Sequence, residues 1–520
     1  MLILATLALA APGFDFAERA PRTAPLRVGV IAGPTGGAVD LSPQYREFGI
    51  RYVRNNDYFD DRLDIEGILD CGGSTYPSWS GCDATNERHY HWEASDALMS
   101  TFKSGGFEPM LRLGGEWQNR SRKHDFKGPQ DSTQEENWTI AATKVAVRYR
   151  HQYVYADIWT EFPGVQFWDR SAADFYPFWV KAYRSVKAAV PEARVGGPGF
   201  AMKATKSLIT GGKQRLAEQF LTTLYREGVR PDWIGWHIFS SDPTEYAAAG
   251  KAYRRLLDGT GEFSHVPWAR SGFFFGVELV LDAFGHGRKS DGQALSAEVE
   301  EELLSGARGA SATAAAFVAV SETDTTRAYY YRGNDPGTGA GGAGGGGGAR
   351  GGEGLGGERK GPRFGKGDGA AEGSKAGGRR PELGGGGGGG GGAGGGSGSG
   401  WLGMFARDGS PKLIASVVRL WVRMGDEFPK QVAVSDPGGN GIWAVAATGS
   451  AGTAVFLTNY SDRSITVNLA DVPGRGTSKS ATVRLVDEAH DGMTASSVPV
   501  GSLEMAPWQV GMVVFPSGAP

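Results

Sequence analysis

The sequence predicts an α/β fold, a (β/α)8 TIM barrel followed by a C-terminal antiparallel β-sandwich. Three observations carry the prediction. Between about residues 24 and 430, short apolar runs rich in β-formers alternate with amphipathic helical stretches, the pattern of a closed parallel barrel. Several of those runs end in a carboxylate, an amide or a histidine, and the loops after barrel strands are where such a fold carries its chemistry. From 431 to 520 the pattern changes to short alternating strands separated by turn residues, the signature of a small sandwich.

A chain of 520 residues can bury a large core, and its net charge of -3 gives no reason to expect nucleic acid or an anionic membrane as a partner. Residues 1–11 form a short apolar run with an Ala-Leu-Ala processing pattern, which predicts a signal peptide and therefore export. No other run approaches the roughly 20 apolar residues of a membrane span. Cys71 and Cys82 lie in Gly/Ser/Pro-rich sequence. In an exported protein their spacing suits a loop-closing disulfide worth about 2–3 kcal/mol, with two free thiols as the alternative. Asn119, Asn137 and Asn459 each begin a glycosylation acceptor triplet.

Taken in order, Leu26–Ile31 reads as the first strand and Ile50–Arg54 as the second, which runs into the polar cluster Asn55, Asn56, Asp57 and Tyr58. A short helix over Ser95–Lys103 leads to a third strand from Glu108, ending near Glu116 and Trp117. The helical stripe of Glu136–His151 delivers the chain to a fourth strand through Tyr155 and Trp159. There Glu161 stands at the tip, and Pro163-Gly164 breaks the backbone. Ser171 opens an amphipathic helix with Phe175, Phe178, Trp179, Ala182 and Val186 on one face, stopped at Pro191. Ala193–Phe200 is the fifth strand, and Asp232–Phe239, carrying His237, the sixth. Gly272–Glu278 reads as the seventh, ending in Glu278, and Arg327–Arg332 as the eighth. Helices are expected over Ala217–Glu227, Thr244–Leu257, Glu298–Leu304 and Ala310–Ala319.

Residues 334–400 collapse into glycine runs punctuated by Arg, Lys and Glu, too poor in apolar surface to order. Pro411–Met424 then resumes as the last barrel helix, so the tract is an insertion after the eighth strand. It reads as a tolerated loop, with an RGG-like nucleic-acid tether as the minor alternative.

Glu161 and Glu278, at the tips of strands four and seven, form the carboxylate pair that a retaining glycosidase needs, with its two carboxyl groups about 5–5.5 Å apart. The barrel also resembles glycoside hydrolase family 39, the β-xylosidase and α-L-iduronidase family of the retaining (β/α)8 clan A. The likeness is carried by Arg54-Asn55-Asn56-Asp57-Tyr58, Phe107–Gly114, Glu136-Asn137-Trp138, Ile158–Glu161 with Phe167-Trp168, Val195–Phe200, and Trp236–Ser240.

The resemblance implies an exo-glycosidase that releases a terminal xylose-like sugar from a carbohydrate substrate by double displacement, without a cofactor or metal. It makes Glu161 the acid/base and Glu278 the nucleophile. Asn56, Asp57, Thr160 and His237 would line the substrate site, and Trp117, Trp159 and Trp168 would offer faces to sugar rings. Three positions depart from the family. Thr160 stands where the clan has Asn, Phe239 where Tyr is common, and Glu278 lacks the usual Thr before it and Trp-Asn after it. These departures keep open a catalytically impaired, carbohydrate-binding barrel. His89 and His91 suggest metal, but no partner stands at ligand spacing in the sequence.

Overall fold

The computed structural model describes residues 25–35, 39–56, 63, 65–69, 83–114, 128–164, 167–212, 215–286, 289–290, 293–335, 403–432, 438–470, 472 and 479–517. The leader 1–11, Cys71, Cys82, Asn119 and the tract from 336 to 402 lie outside the described residues.

Eight parallel strands close a barrel: β1 (Arg27–Ile31), β2 (Tyr52–Arg54), β3 (Glu108–Arg112), β4 (Tyr155–Asp157), β5 (Arg194–Phe200), β6 (Trp233–Phe239), β7 (Glu278–Gly285) and β8 (Thr325–Tyr330). Each pairs with its sequence neighbour, and β8 closes the ring on β1 through Arg27↔Arg327 to Val30↔Tyr330. The interior is filled by Ile31, Met110, Tyr155, Trp233, Val280, Ala283 and Tyr329. A larger apolar shell separates the strands from the helices around them.

Local chemistry explains the helix boundaries. Helix Ala172–Ala189 is opened by a capping box in which Ser171 and Asp174 satisfy each other's backbone N–H. Its buried face packs Phe175 and Phe178 against Trp138, Trp159 and Trp168. Helix Pro243–Asp258 is capped by Asp242 and ends at Gly259 in the left-handed conformation.

The seventh strand is corrected by the structure. Gly272–Val277 is a run of turns, and β7 begins at Glu278 instead of ending there. Gly272 and Gly276 both take positive φ, 62° and 76°, which breaks an extended run. Phe274 is buried against Trp268, while Phe275 is left 71% exposed. The true strand, Leu279-Val280-Leu281-Asp282-Ala283-Phe284, is disguised in the sequence by the charge in its middle.

Asn334 and Asp335 belong to the fixed framework, not to the insertion. Asn334 bridges Phe405, and Asp335 accepts from Gly403 N at 2.8 Å and pairs with Lys412 at 3.0 Å. The two ends of the glycine tract are thereby clamped together. Helix Leu413–Glu427 follows and completes the barrel.

The C-terminal unit is a sheet in the order 430–432, 442–449, 452–459, 510–516, 480–487, 490–499, faced by the pair 465–468 and 502–505. It docks on the barrel through Trp421 against Phe456 and Ser311 against Thr458. Helix Ala307–Ser321 is apolar because it is buried between the two units. Among the described residues no single helix is long and apolar enough to cross a membrane. Asn137 and Asn459 are buried and hydrogen-bonded to the framework, so neither acceptor triplet is presented at the surface.

Candidate active site

At the C-terminal end of the barrel, four elements converge on one line of charge. Arg54 closes β2, and its side chain is wholly buried. One guanidinium nitrogen lies 2.6 Å from Asp157 on β4, 2.8 Å from the Thr160 hydroxyl and 3.3 Å from Asp282 on β7. Asp282 Oδ2 is 3.2 Å from His237 Nε2 on β6, and His237 Nδ1 is 3.1 Å from Glu161 Oε1. Charge therefore runs from the barrel interior, through one imidazole, to the mouth. Exposure rises along the same line. Asp282 is 0% exposed, the His237 side chain 2%, and the Glu161 side chain 30%.

Two glycines make room for this line. A Cβ on Gly199 would stand 2.5 Å from both Asp282 Oδ2 and His237 Nε2, and one on Gly235 2.7 Å from Asp282 Oδ1. Burial works to lower the basicity of His237, but the Asp282 and Glu161 carboxylates hold its pKa up, at about 9. Burial raises the Asp157 carboxyl to about 6, against the pull of Arg54 and with help from Asp282.

Glu161 itself has φ of 53°, the left-handed region that a non-glycine residue seldom adopts. Such a conformation costs on the order of 1 kcal/mol, and it aims this side chain at the mouth instead of continuing β4. Among the described residues, Asp157 on β4 and Asp282 on β7 are fully buried, and Asp335 beyond β8 is committed to Lys412. Asn56 is buried where β2 exits, with Oδ1 unpartnered among the described residues.

Glu278 is not part of this site. It opens β7 at the opposite, N-terminal end, level with Trp233 at the start of β6. There it accepts from the Tyr155 hydroxyl at 2.8 Å and binds Arg194 and Thr326, all three at the starts of their own strands. The same floor holds Arg327, paired with Glu108 at 2.8 Å and stacked over Tyr52 and Tyr155. The pairing of Glu161 with Glu278 across one mouth is thus overturned by the register of β7.

Two of the tryptophans are also corrected. Trp159 is 0% and Trp168 2% exposed. They pack edge to face at 5.7 Å behind the barrel wall, with the Trp168 indole N–H on Ser171 O, so neither face is open to a sugar. Thr160 is buried as well, its hydroxyl engaged by Arg54. His237 does lie beside Glu161. Asp57 and Trp117 lie outside the described residues.

Sequence reasoning missed Asp157 and Asp282, and placed Arg54 only within a motif. A usable signal was present: one charge inside an otherwise apolar strand demands a partner of opposite sign. Arg54 after Val53 and Asp282 between Leu281 and Ala283 are two such charges.

The fold defines the class, a parallel barrel with an appended sandwich in the arrangement of large glycoside hydrolases. No protein-family model matches the chain, and no curated protein matches it by sequence. Solved structures match over nearly its whole length. A glucosidase from Croceicoccus marinus aligns with a TM-score of 0.60 at 15% identity, covering 96% of this chain and 98% of that one. A family 39 enzyme from Xanthomonas axonopodis pv. citri gives 0.56 at 13%, covering 97% and 95%. A family 39 glycoside hydrolase from Bacteroides cellulosilyticus gives 0.54 at 11%, covering 95% and 81%. The chain thus has the fold of family 39 glycoside hydrolases.

Proposed function

We propose that the protein is a glycoside hydrolase that works at the C-terminal mouth of its barrel, with Glu161 as the group that meets the glycosidic oxygen. One observation carries the reading: Glu161 is a partly exposed carboxylate beyond β4, held in a costly backbone conformation against His237. Hydrolysis needs a proton delivered to the leaving oxygen and another removed from the incoming water, and one carboxyl group at the mouth can do each in turn. The substrate follows from the family resemblance: a terminal xylose-like sugar on a carbohydrate, met by a protein exported through its leader. The test is release of sugar from xyloside, glucoside, galactoside, arabinoside and iduronide substrates by the wild type and by Glu161→Gln.

A second reading, a carbohydrate-binding barrel with impaired catalysis, is favoured by a different observation. Double displacement needs a second carboxylate facing the sugar at about 5–5.5 Å from the first. Glu278 is at the far end of the barrel, and Asp282 is sealed between Arg54 and His237. Calorimetry that detects sugar binding to a wild type releasing none of the five sugars would select this reading.

A further inference from the structure

Asp282 has no role in the reading above, yet β7 is bent to present it. Trp236 pairs with Leu281 and His237 with Ala283, so Asp282 is the extra residue of a β-bulge. Bulges re-aim a side chain, and here the carboxylate is turned into the barrel beside His237. Taking Glu161 as the proton-handling group, we infer that Asp282 is a positioning residue: acting through His237, it fixes the imidazole, and the imidazole fixes the Glu161 carboxyl at the mouth.

A glutamate on a loop loses rotamer freedom when it is fixed, so something must hold it. Among the described residues His237 is the side chain bonded to Glu161. An imidazole alone is a poor anchor, because its ring can flip and its neutral form has two tautomers. A carboxylate at each nitrogen removes both freedoms, since each favours a proton on the nitrogen it faces. Among the described residues, the charged groups that face this ring are Asp282 on β7, Glu161 beyond β4, Asp157 on β4 and, through Asp282, Arg54 on β2. Arg54 keeps the pair of buried aspartates from standing as two uncompensated charges.

Imidazole nitrogen spectra of the full-length 15N-labelled protein test this, with the His237 signals identified by their loss in His237→Gln. The expected wild-type ring is doubly protonated at pH 7 and titrates near pH 9. In Asp282→Asn the midpoint falls by about one pH unit or more. With an active wild type, the high-pH limb of kcat moves down by the same amount and KM is little changed. A wild-type ring that is neutral at pH 7, or a midpoint unmoved in Asp282→Asn, overturns the inference. The wild-type spectrum decides even where the variant fails to fold. Absence of hydrolysis by the wild type counts against the glycosidase reading alone, because the spectra do not depend on turnover.

Discussion

Oε1 of Glu161 lies 3.1 Å from Nδ1 of His237, at the end of a line of buried charge that starts with Arg54. A glutamine at 161 keeps an oxygen for that contact but has no proton to give. Glu161→Gln is therefore expected to lose about 10²- to 10⁴-fold in rate on alkyl glycosides, whose leaving oxygen must be protonated. It should lose far less on dinitrophenyl glycosides. Equal losses on both substrates would show that Glu161 is not the acid.

Glu278 ties Tyr155, Arg194 and Thr326 together under the barrel. Its removal leaves the buried Tyr155 hydroxyl without its acceptor, while the half-exposed Arg194 guanidinium keeps only its bond to that hydroxyl. Glu278→Ala should cost about 1–3 kcal/mol in denaturant unfolding, with the rate at the mouth unchanged.

The stability of the fold should fall as the medium turns alkaline. The pKa of His237, about 9 in the folded chain, stands above the ordinary value of 6.5, so its contribution is complete below pH 6.5 and lost as pH rises through 9. Integrated, that is about 3 kcal/mol. The raised pKa of Asp157, about 6, acts in the same direction at lower pH: its contribution is present in acid and lost as pH climbs from about 4 to 6. Urea unfolding from pH 4 to 10 reads both limbs. A profile flat between 6.5 and 9.5 would contradict the ion pairing of His237.

Asp335 and Gly403 hold the two ends of the glycine tract within one hydrogen bond. Because closure entropy grows only with the logarithm of loop length, replacing 336–402 by a bridge of about eight Gly/Ser residues should stabilise the protein by only about 2 kcal/mol. Sugar release should be kept. Loss of the folded state on this deletion would mean that the tract is part of the framework.

Trp168 is sealed behind β4 with Trp159 and Phe178. Trp168→Ala should destabilise the protein by about 3–5 kcal/mol. A folded variant that lost sugar affinity without losing stability would return this indole to the substrate site.

The legible part of the fold was that governed by periodicity and local capping. The Ser171 helix, the Trp233–Phe239 strand and the late alternating strands all follow from residue patterns over one element. The seventh strand was illegible for a physical reason. Its aromatic prelude, Phe273-Phe274-Phe275, has more β-forming character than Leu281-Asp282-Ala283, and only the tertiary pairing of Asp282 with Arg54 and His237 makes a charge tolerable there. The error then carried into the site, because the face and end at which Glu278 emerges depend wholly on where the strand begins. Trp159 and Trp168 were open to two readings in the same way. Aromatic residues near a catalytic strand serve equally as sugar platforms or as the wedge between strand and helix, and burial decides it.

The most direct test sets wild type beside Glu161→Gln and Glu278→Ala on alkyl glycosides of xylose, glucose, galactose, arabinose and iduronic acid. The expected result is that the wild type and Glu278→Ala release the same sugar while Glu161→Gln does not. A folded Glu278→Ala that releases nothing, together with a glycosyl group trapped on Glu278 in the wild type, would contradict a site at the mouth built on Glu161 and His237.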